Sequence, residues 1–445
     1  MAAAAVVLTT TIGSGTAAAV DPPVIDPSRL PPANLPAPAT ELRDPCTGTV
    51  PVTDRELIPA PQRMLDLESV WPLTTGRGQS VAVIDTGVEP HPRLPGLVAG
   101  GDFVSTGDGT SDCDAHGTLV AGIIAASRSE TTGFAGVAPD ARIMTIRQSS
   151  NVFRQVGGPR DGDGRNAGGV GTLATLASAV RRAADLGATV INISEVACVP
   201  PGSGDNLALG AAIDYATRVE DVVIVAAAGN IDICRRSNPP PDPAHPHADP
   251  WDSVTTVATP AWYDDQVLTV GSVDPDGSPS DFTVPGPWVD VAAPGTAITS
   301  LDPRRAELSA ITDSTGGGAI EGTSFAAPYV AGVAALVRSR HPELKAREVV
   351  ARIEATAHAP AAGWDPFVGH GVVDPLAAVS APDRGTVTGP QSVAVPVPAP
   401  TATPDTRPRR VALVGAGAVV ALLTIGILAS FPLRRRLHRG DTSTG

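Results

Sequence analysis

The chain has 445 residues, 45 prolines, 46 glycines and a formal charge of −14 at neutral pH. That length allows one large core with appendages, and the acidic balance excludes a nucleic-acid partner held by a basic surface. Residues 2–19 (AAAAVVLTTTIGSGTAAA) join an apolar run to Ala17-Ala18-Ala19, an A-x-A cleavage pattern. They read as a secretory signal peptide over 1–19 without a basic n-region; a disordered Ala-rich N-terminus is the alternative. Residues 20–60 are proline-rich with no long apolar run, an arm rather than a packed domain. Met64 to Leu73 predicts a helix interrupted at Pro72, before a turn at Gly76 and Gly78.

Ser80–Val88 (SVAVIDTGV) is a short apolar run ending in an acid and a turn, the pattern of a buried parallel strand that delivers Asp85 at its C-terminal end. The irregular stretch 87–112 and its sequel carry Asp102, Asp108, Asp112 and Asp114. Their spacing matches no calcium loop, and a solvated acidic loop is expected. His116–Ala126 (HGTLVAGIIAA) predicts a small-residue helix with His116 at its start. A strand follows at Ala141–Ile146. Residues 147–170 form a polar, Gly-rich insertion in which Asp161 and Asp163 fit a loop better than a metal site. Gly171–Leu186 has helical apolar spacing and leads into a strand at Ala188–Ser194. Val223–Asn230 (VIVAAAGN) predicts a strand whose end presents an amide donor. Residues 235–250 are a proline-rich loop; its His245 and His247 lack further metal ligands. Val267–Ser272 reads as a further strand, and Glu343–Ala357 as an amphipathic helix.

Gly322–Gly332 (GTSFAAPYVAG) organises the rest. The residues after Ser324 are apolar nearly all round, which predicts a buried helix. Pro328 is expected in its first turn, where a missing N–H is no loss. Ser324 then sits at the helix N-terminus, where free backbone N–H groups can stabilise an oxyanion. A packing helix with an incidental serine is the alternative from this stretch alone. A serine hydroxyl needs a base, and the base an orienting acid; His116 and Asp85 supply the residue types.

The motifs DTG, HGT, AAGN and GTSFAAP, in that order, resemble those of the subtilisin-type (S8) serine proteases, across roughly residues 60 to 378. The resemblance implies an α/β, three-layer fold with a mainly parallel central sheet, and no cofactor. It implies that Asp85 orients His116, that His116 takes the proton of Ser324, and that Asn230 with the Ser324 N–H forms the oxyanion hole. It also implies a substrate cleft lined by Ser194, Glu195, Ala227, Ala228 and Gly229. Subtilisins continue that strand with Leu-Gly, whereas here Glu195 and Val196 follow Ser194. Glu195 either selects a basic or polar side chain or faces solvent. Cys198 and Cys234 follow the two strands nearest the implied cleft, which would pair them and leave Cys46 with Cys113; each bridge is worth about 4 kcal/mol on the loop-entropy model.

Residues 61–379 are therefore expected to be the catalytic domain. Residues 380–410 read as a proline-rich linker. Residues 411–431 form an uncharged apolar run, about 31 Å long as a helix, matching a transmembrane span. Residues 432–445 are a basic tail that marks the cytoplasmic side and places the bulk of the chain outside. The whole arrangement resembles the mycosins, membrane-anchored proteases of type VII secretion systems. That resemblance implies a protein substrate and the secretion membrane complex as partners.

Overall fold

In the computed structural model the described residues are 20, 22–51, 58–158, 169–202, 206–235, 237–240, 242, 244–245, 248–304, 308–311, 320–382, 416 and 418–426. Residues 1–19, read above as a signal peptide, Asp161, Asp163, His247, most of residues 380–410 and residues 432–445 lie outside them. Two units are distinct: residues 1–381, and 382–445.

The first unit is built on a seven-stranded sheet whose paired strands all run parallel. Its strands are β1 (Ser80–Asp85), β2 (Val98–Asp102), β3 (Arg142–Arg147), β4 (Val190–Ile193), β5 (Val223–Ala227), β6 (Val267–Val273) and β7 (Val291–Pro294). Their spatial order is β7-β6-β5-β4-β1-β3-β2. Every residue of β1 is buried, which is why its sequence is an apolar run rather than an alternation.

Alternation survives as a sorting between two cores. Val81 and Val83 join the core on one face, Ala82 and Ile84 the core on the other. The first core is filled by α1 (His116–Ala125), α4 (Thr323–Arg340), α5 (Ala346–Thr356) and α6 (Pro375–Ser380). The second is filled by α2 (Leu173–Asp185) and α3 (Leu207–Asp214). Sheet between two helical layers is the expected three-layer α/β plan.

The proline-rich arm packs onto this domain. Ile25, Leu30 and Leu35 rest on the second core. Thr40–Leu42 pairs antiparallel with Phe153–Gln155, and Val50–Pro51 with Leu308–Ile311. The Arg181 guanidinium donates to the Pro31 carbonyl at 2.6 Å. Cys46 is joined to Cys113, and Cys198 to Cys234.

Three expectations need correction. The helix placed over Met64–Leu73 is two short ones, Ala60–Met64 and Leu67–Val70, broken at Asp66 with φ +45°. The acidic stretch is solvated only at Asp108: Asp102, Asp112 and Asp114 have buried side chains. They are tolerated there because backbone amides point at them. Asp102 accepts from the Val104 and Ser105 N–H groups, and Asp114 from those of Asn151 and Val152. Finally, α4 begins at Thr323, so Pro328 lies in its second turn rather than its first.

In the second unit, residues 416 and 418–426 are helical. Among the described residues no helix is long and apolar enough to cross a membrane; the rest of the 411–431 run lies outside them.

Candidate active site

The sheet topology sets the site. From β1 the chain runs to the edge strand β2, returns to β3 beside β1, then crosses to β4 on the other side of β1. The carboxyl ends of β1 and β4 thus flank a switch point, where open α/β sheets place their ligands. Asp85 is the last residue of β1, and Ser194 and Glu195 directly follow β4.

His116 opens α1 and Ser324 is the second residue of α4, so both helices deliver a side chain at their N-termini to that same end. Close approach is enforced by small residues. A Cβ on Gly117 would lie 2.0 Å from the Gly87 carbonyl oxygen, so α1 can meet the turn after Asp85 only with glycine there. The result is a continuous chain of contacts. Asp85 Oδ1 lies 2.7 Å from His116 Nδ1, and His116 Nε2 lies 3.0 Å from Ser324 Oγ. Asp85 is fully buried and its Oδ1 also accepts the Thr86 N–H at 2.7 Å. The Phe325 ring sits 5.0 Å from the imidazole, centroid to centroid.

Burial opposes charge on His116, but the Asp85 carboxylate, its hydrogen bond, and the charges of Glu195 and Asp112 outweigh it and lift the ring to about 9. Asp112 is itself pushed up to about 6 by burial, against hydrogen bonds from Thr118 and Thr86 and with the Asp85 charge adding to the rise. Asp112 thereby ties the turn after β1 to the start of α1.

Asn230 follows Gly229, whose φ of +102° turns the chain out of β5. Its Oδ1 accepts from the Thr323 N–H and hydroxyl at 3.0 and 2.9 Å. That fixes the amide the other way round: Nδ2 faces the space beside Ser324, where a Cβ built on Gly322 would lie 3.1 Å from both Nδ2 and Ser324 Oγ. Thr323 Oγ1 also accepts the buried Gly229 N–H at 3.1 Å. Ala227 and Ala228 are fully buried behind this wall.

Ser194 differs from its expected place in the cleft. It is buried, and its hydroxyl donates to the Ser324 carbonyl at 2.8 Å while accepting from Asn192 Nδ2 at 2.9 Å. The reason is Pro328. In a helix the N–H of residue 328 would bond the carbonyl of residue 324, and proline has none. Ser194 fills that vacancy from the neighbouring strand.

Glu195 is half-buried, with its carboxylate against the dyad: an oxygen of Glu195, an oxygen of Asp85 and a ring nitrogen of His116 all lie within 4.8 Å of one another. His245 is exposed and pairs with Asp242.

A buried acid, a histidine and a serine in hydrogen-bonded series make a serine-hydrolase triad, and its placement here, with the acid ending a central parallel strand and the histidine and serine each opening a helix, is that of the subtilisin-like serine peptidases. The subtilase family profile matches residues 76–371. The chain belongs to that family, and within it to the mycosins, serine endopeptidases by descent. It is 52% identical to Mycosin-4 of Mycobacterium tuberculosis, over 96% of this chain and 94% of the relative. Mycosin-1 of the same organism is 46% identical over 94% and 96%. Among solved structures, MycP1 from Mycobacterium smegmatis superposes with a TM-score of 0.74 at 43% identity, covering 81% of this chain and 95% of that one. A chain in an intact ESX-5 inner membrane complex superposes at 0.77 with 42% identity, covering 93% and 100%.

Sequence reasoning missed Thr323, Asp112 and the true role of Ser194. Thr323 stood in plain view inside the GTS motif, and the signal for Ser194 was Pro328 itself.

Proposed function

We propose that this chain is a membrane-anchored serine endopeptidase whose catalytic domain lies outside the cytoplasmic membrane and cuts protein substrates beside a type VII secretion complex. The observation that carries the peptidase reading is the Asp85–His116–Ser324 series, at 2.7 and 3.0 Å. In it, Ser324 Oγ attacks the scissile carbonyl while His116 Nε2 takes the hydroxyl proton and then passes it to the leaving amine. Asp85 holds the ring in the tautomer that leaves Nε2 free to accept. The oxyanion is met by Asn230 Nδ2 and the Ser324 N–H at the start of α4. Extended substrate pairs by main-chain hydrogen bonds alongside the carboxyl end of β4 at Glu195, while Ala227 to Gly229, buried behind it, support the wall.

Anchoring rests on the uncharged run 411–431 with Arg434, Arg435, Arg436 and Arg439 behind it, which also orients the C-terminus toward the cytoplasm. The secretion partner rests on relatives: the ESX-5 chain belongs to an inner membrane complex. Labelling of membranes with a fluorophosphonate serine probe tests the peptidase reading. Wild type should label and Ser324→Ala should not; labelling retained in Ser324→Ala would overturn it.

The same likeness favours a second reading, in which the domain braces the secretion complex and proteolysis is dispensable. Secretion lost on deletion of the chain but kept in Ser324→Ala selects it.

A further inference from the structure

We propose that Glu195 is a positioning residue for His116: its carboxylate, set beside the ring, favours the ring's charged form over its neutral one and so sets the pH range over which Ser324 is activated. This rests on the peptidase reading above. The geometry is a second carboxylate where one would suffice. An oxygen of Glu195 lies within 4.8 Å of a ring nitrogen of His116 and an oxygen of Asp85, so Asp85 bonds the ring directly and Glu195 acts on it through its charge, the two acids coming from two different strand ends.

The grip is built, not incidental. On one side of Glu195, Ser194 is bonded to the Ser324 carbonyl. On the other, Ala197–Val199 pairs with Val257–Thr259, and Cys198 is bridged to Cys234. The backbone of Glu195 is therefore pinned on both sides, and its side chain inherits a fixed origin.

The charges facing His116 are Asp85, Glu195 and Asp112, and those facing Glu195 are Asp85, His116 and Asp114, with the Ser149 hydroxyl beside it. Burial pushes Glu195 up and the Asp85 charge adds to this, while His116 pulls it down. Three acids face one imidazole. Every acid that stays ionised raises the proton affinity of the ring. Only the neutral ring can take the proton of Ser324, and removing the Glu195 charge should free it at lower pH.

The test is the pH dependence of inactivation by a fluorophosphonate. The Ser324 oxygen bonds to phosphorus, fluoride leaves, and His116 accepts the hydroxyl proton, so the rate follows the neutral ring. The full-length protein is compared in membranes as wild type, Glu195→Gln and Glu195→Asp. Glu195→Gln should move the acid-limb midpoint down by about one pH unit or more, a tenfold gain in rate on that limb, while Glu195→Asp stays near wild type. An unmoved midpoint in Glu195→Gln, or equal shifts in both variants, overturns the proposal. Should wild type fail to label at any pH, the peptidase reading falls. The His116 ring titration, followed by NMR on histidine-labelled wild type and Glu195→Gln, then decides the proposal by the same shift.

Discussion

The hydroxyl of Ser194 replaces a hydrogen bond that Pro328 cannot make, and this substitution of one donor for another can be measured. In Ser194→Ala the Ser324 carbonyl loses its donor and Asn192 Nδ2 loses its acceptor. Asn192 is fully buried, and the bond to the Ser324 carbonyl is partly so. An unsatisfied buried polar group costs about 1–3 kcal/mol, and relaxation will recover part of the sum. A loss of roughly 2–4 kcal/mol in unfolding free energy is therefore expected, read from denaturant midpoints. Pro328→Ala restores an N–H within reach of the same carbonyl. In that background Ser194→Ala should cost less, by about 1 kcal/mol, one ordinary hydrogen bond. The four proteins form a double-mutant cycle, and the coupling is the quantity of interest. Hydrolysis of a fluorogenic peptide cleaved by wild type should fall in Ser194→Ala and recover partly in the double variant, because the carbonyl belongs to the nucleophile. Strictly additive effects on stability would refute the idea that Ser194 and Pro328 act on one carbonyl.

Thr323→Val keeps the shape of the side chain but strands the Gly229 N–H and loosens the Asn230 amide. It should lower stability by about 1–3 kcal/mol and slow peptide hydrolysis less than Asn230→Ala. The latter removes an oxyanion donor outright and should cost about 10²–10³ in kcat, a magnitude taken from another subtilase. Cys46→Ser opens a bridge spanning 67 residues and should cost about 4 kcal/mol by loop entropy, visible as a lowered denaturant midpoint. Asp264, Asp290 and Glu354 line one cavity of about 450 Å³. All three are raised by burial, Asp264 to about 6 and Asp290 well above its ordinary value. A raised carboxylate favours the folded state at low pH and loses that contribution as pH climbs through its folded value. Unfolding free energy should therefore decline between about pH 4 and pH 6 and beyond, and Asp290→Asn should flatten the decline. A gradient of the opposite sign in the wild type, removed by Asp290→Asn, contradicts the assignment.

Much of this was legible in the residues. Apolar runs of four to seven residues ending in Asp85, Ser194 and Asn230 gave the buried parallel strands, because both faces of such a sheet are covered. The small-residue starts of α1 and α4 gave the positions of His116 and Ser324. What escaped the sequence was whatever depends on partners distant in the chain. Ser194 and Pro328 are 134 positions apart, and neither announces the other. Asp102, Asp112 and Asp114 looked solvated because an acid in a glycine-rich stretch usually is; that backbone amides converge on them is a tertiary fact. Glu195 offered two readings in sequence. The fold sets it half-buried beside the catalytic ring, a place that neither reading named.

The two bridges also carry a consequence for timing. Cys113 lies three residues before His116, and Cys234 four residues after Asn230. Each wall of the reaction centre is thus clipped covalently within about one helical turn of the group it presents. A freshly made chain with reduced cysteines has neither clip, so its base and its oxyanion donor are free to drift. Oxidation fixes both walls in place, so the geometry of the reaction centre depends on the redox surroundings in which the chain finishes folding.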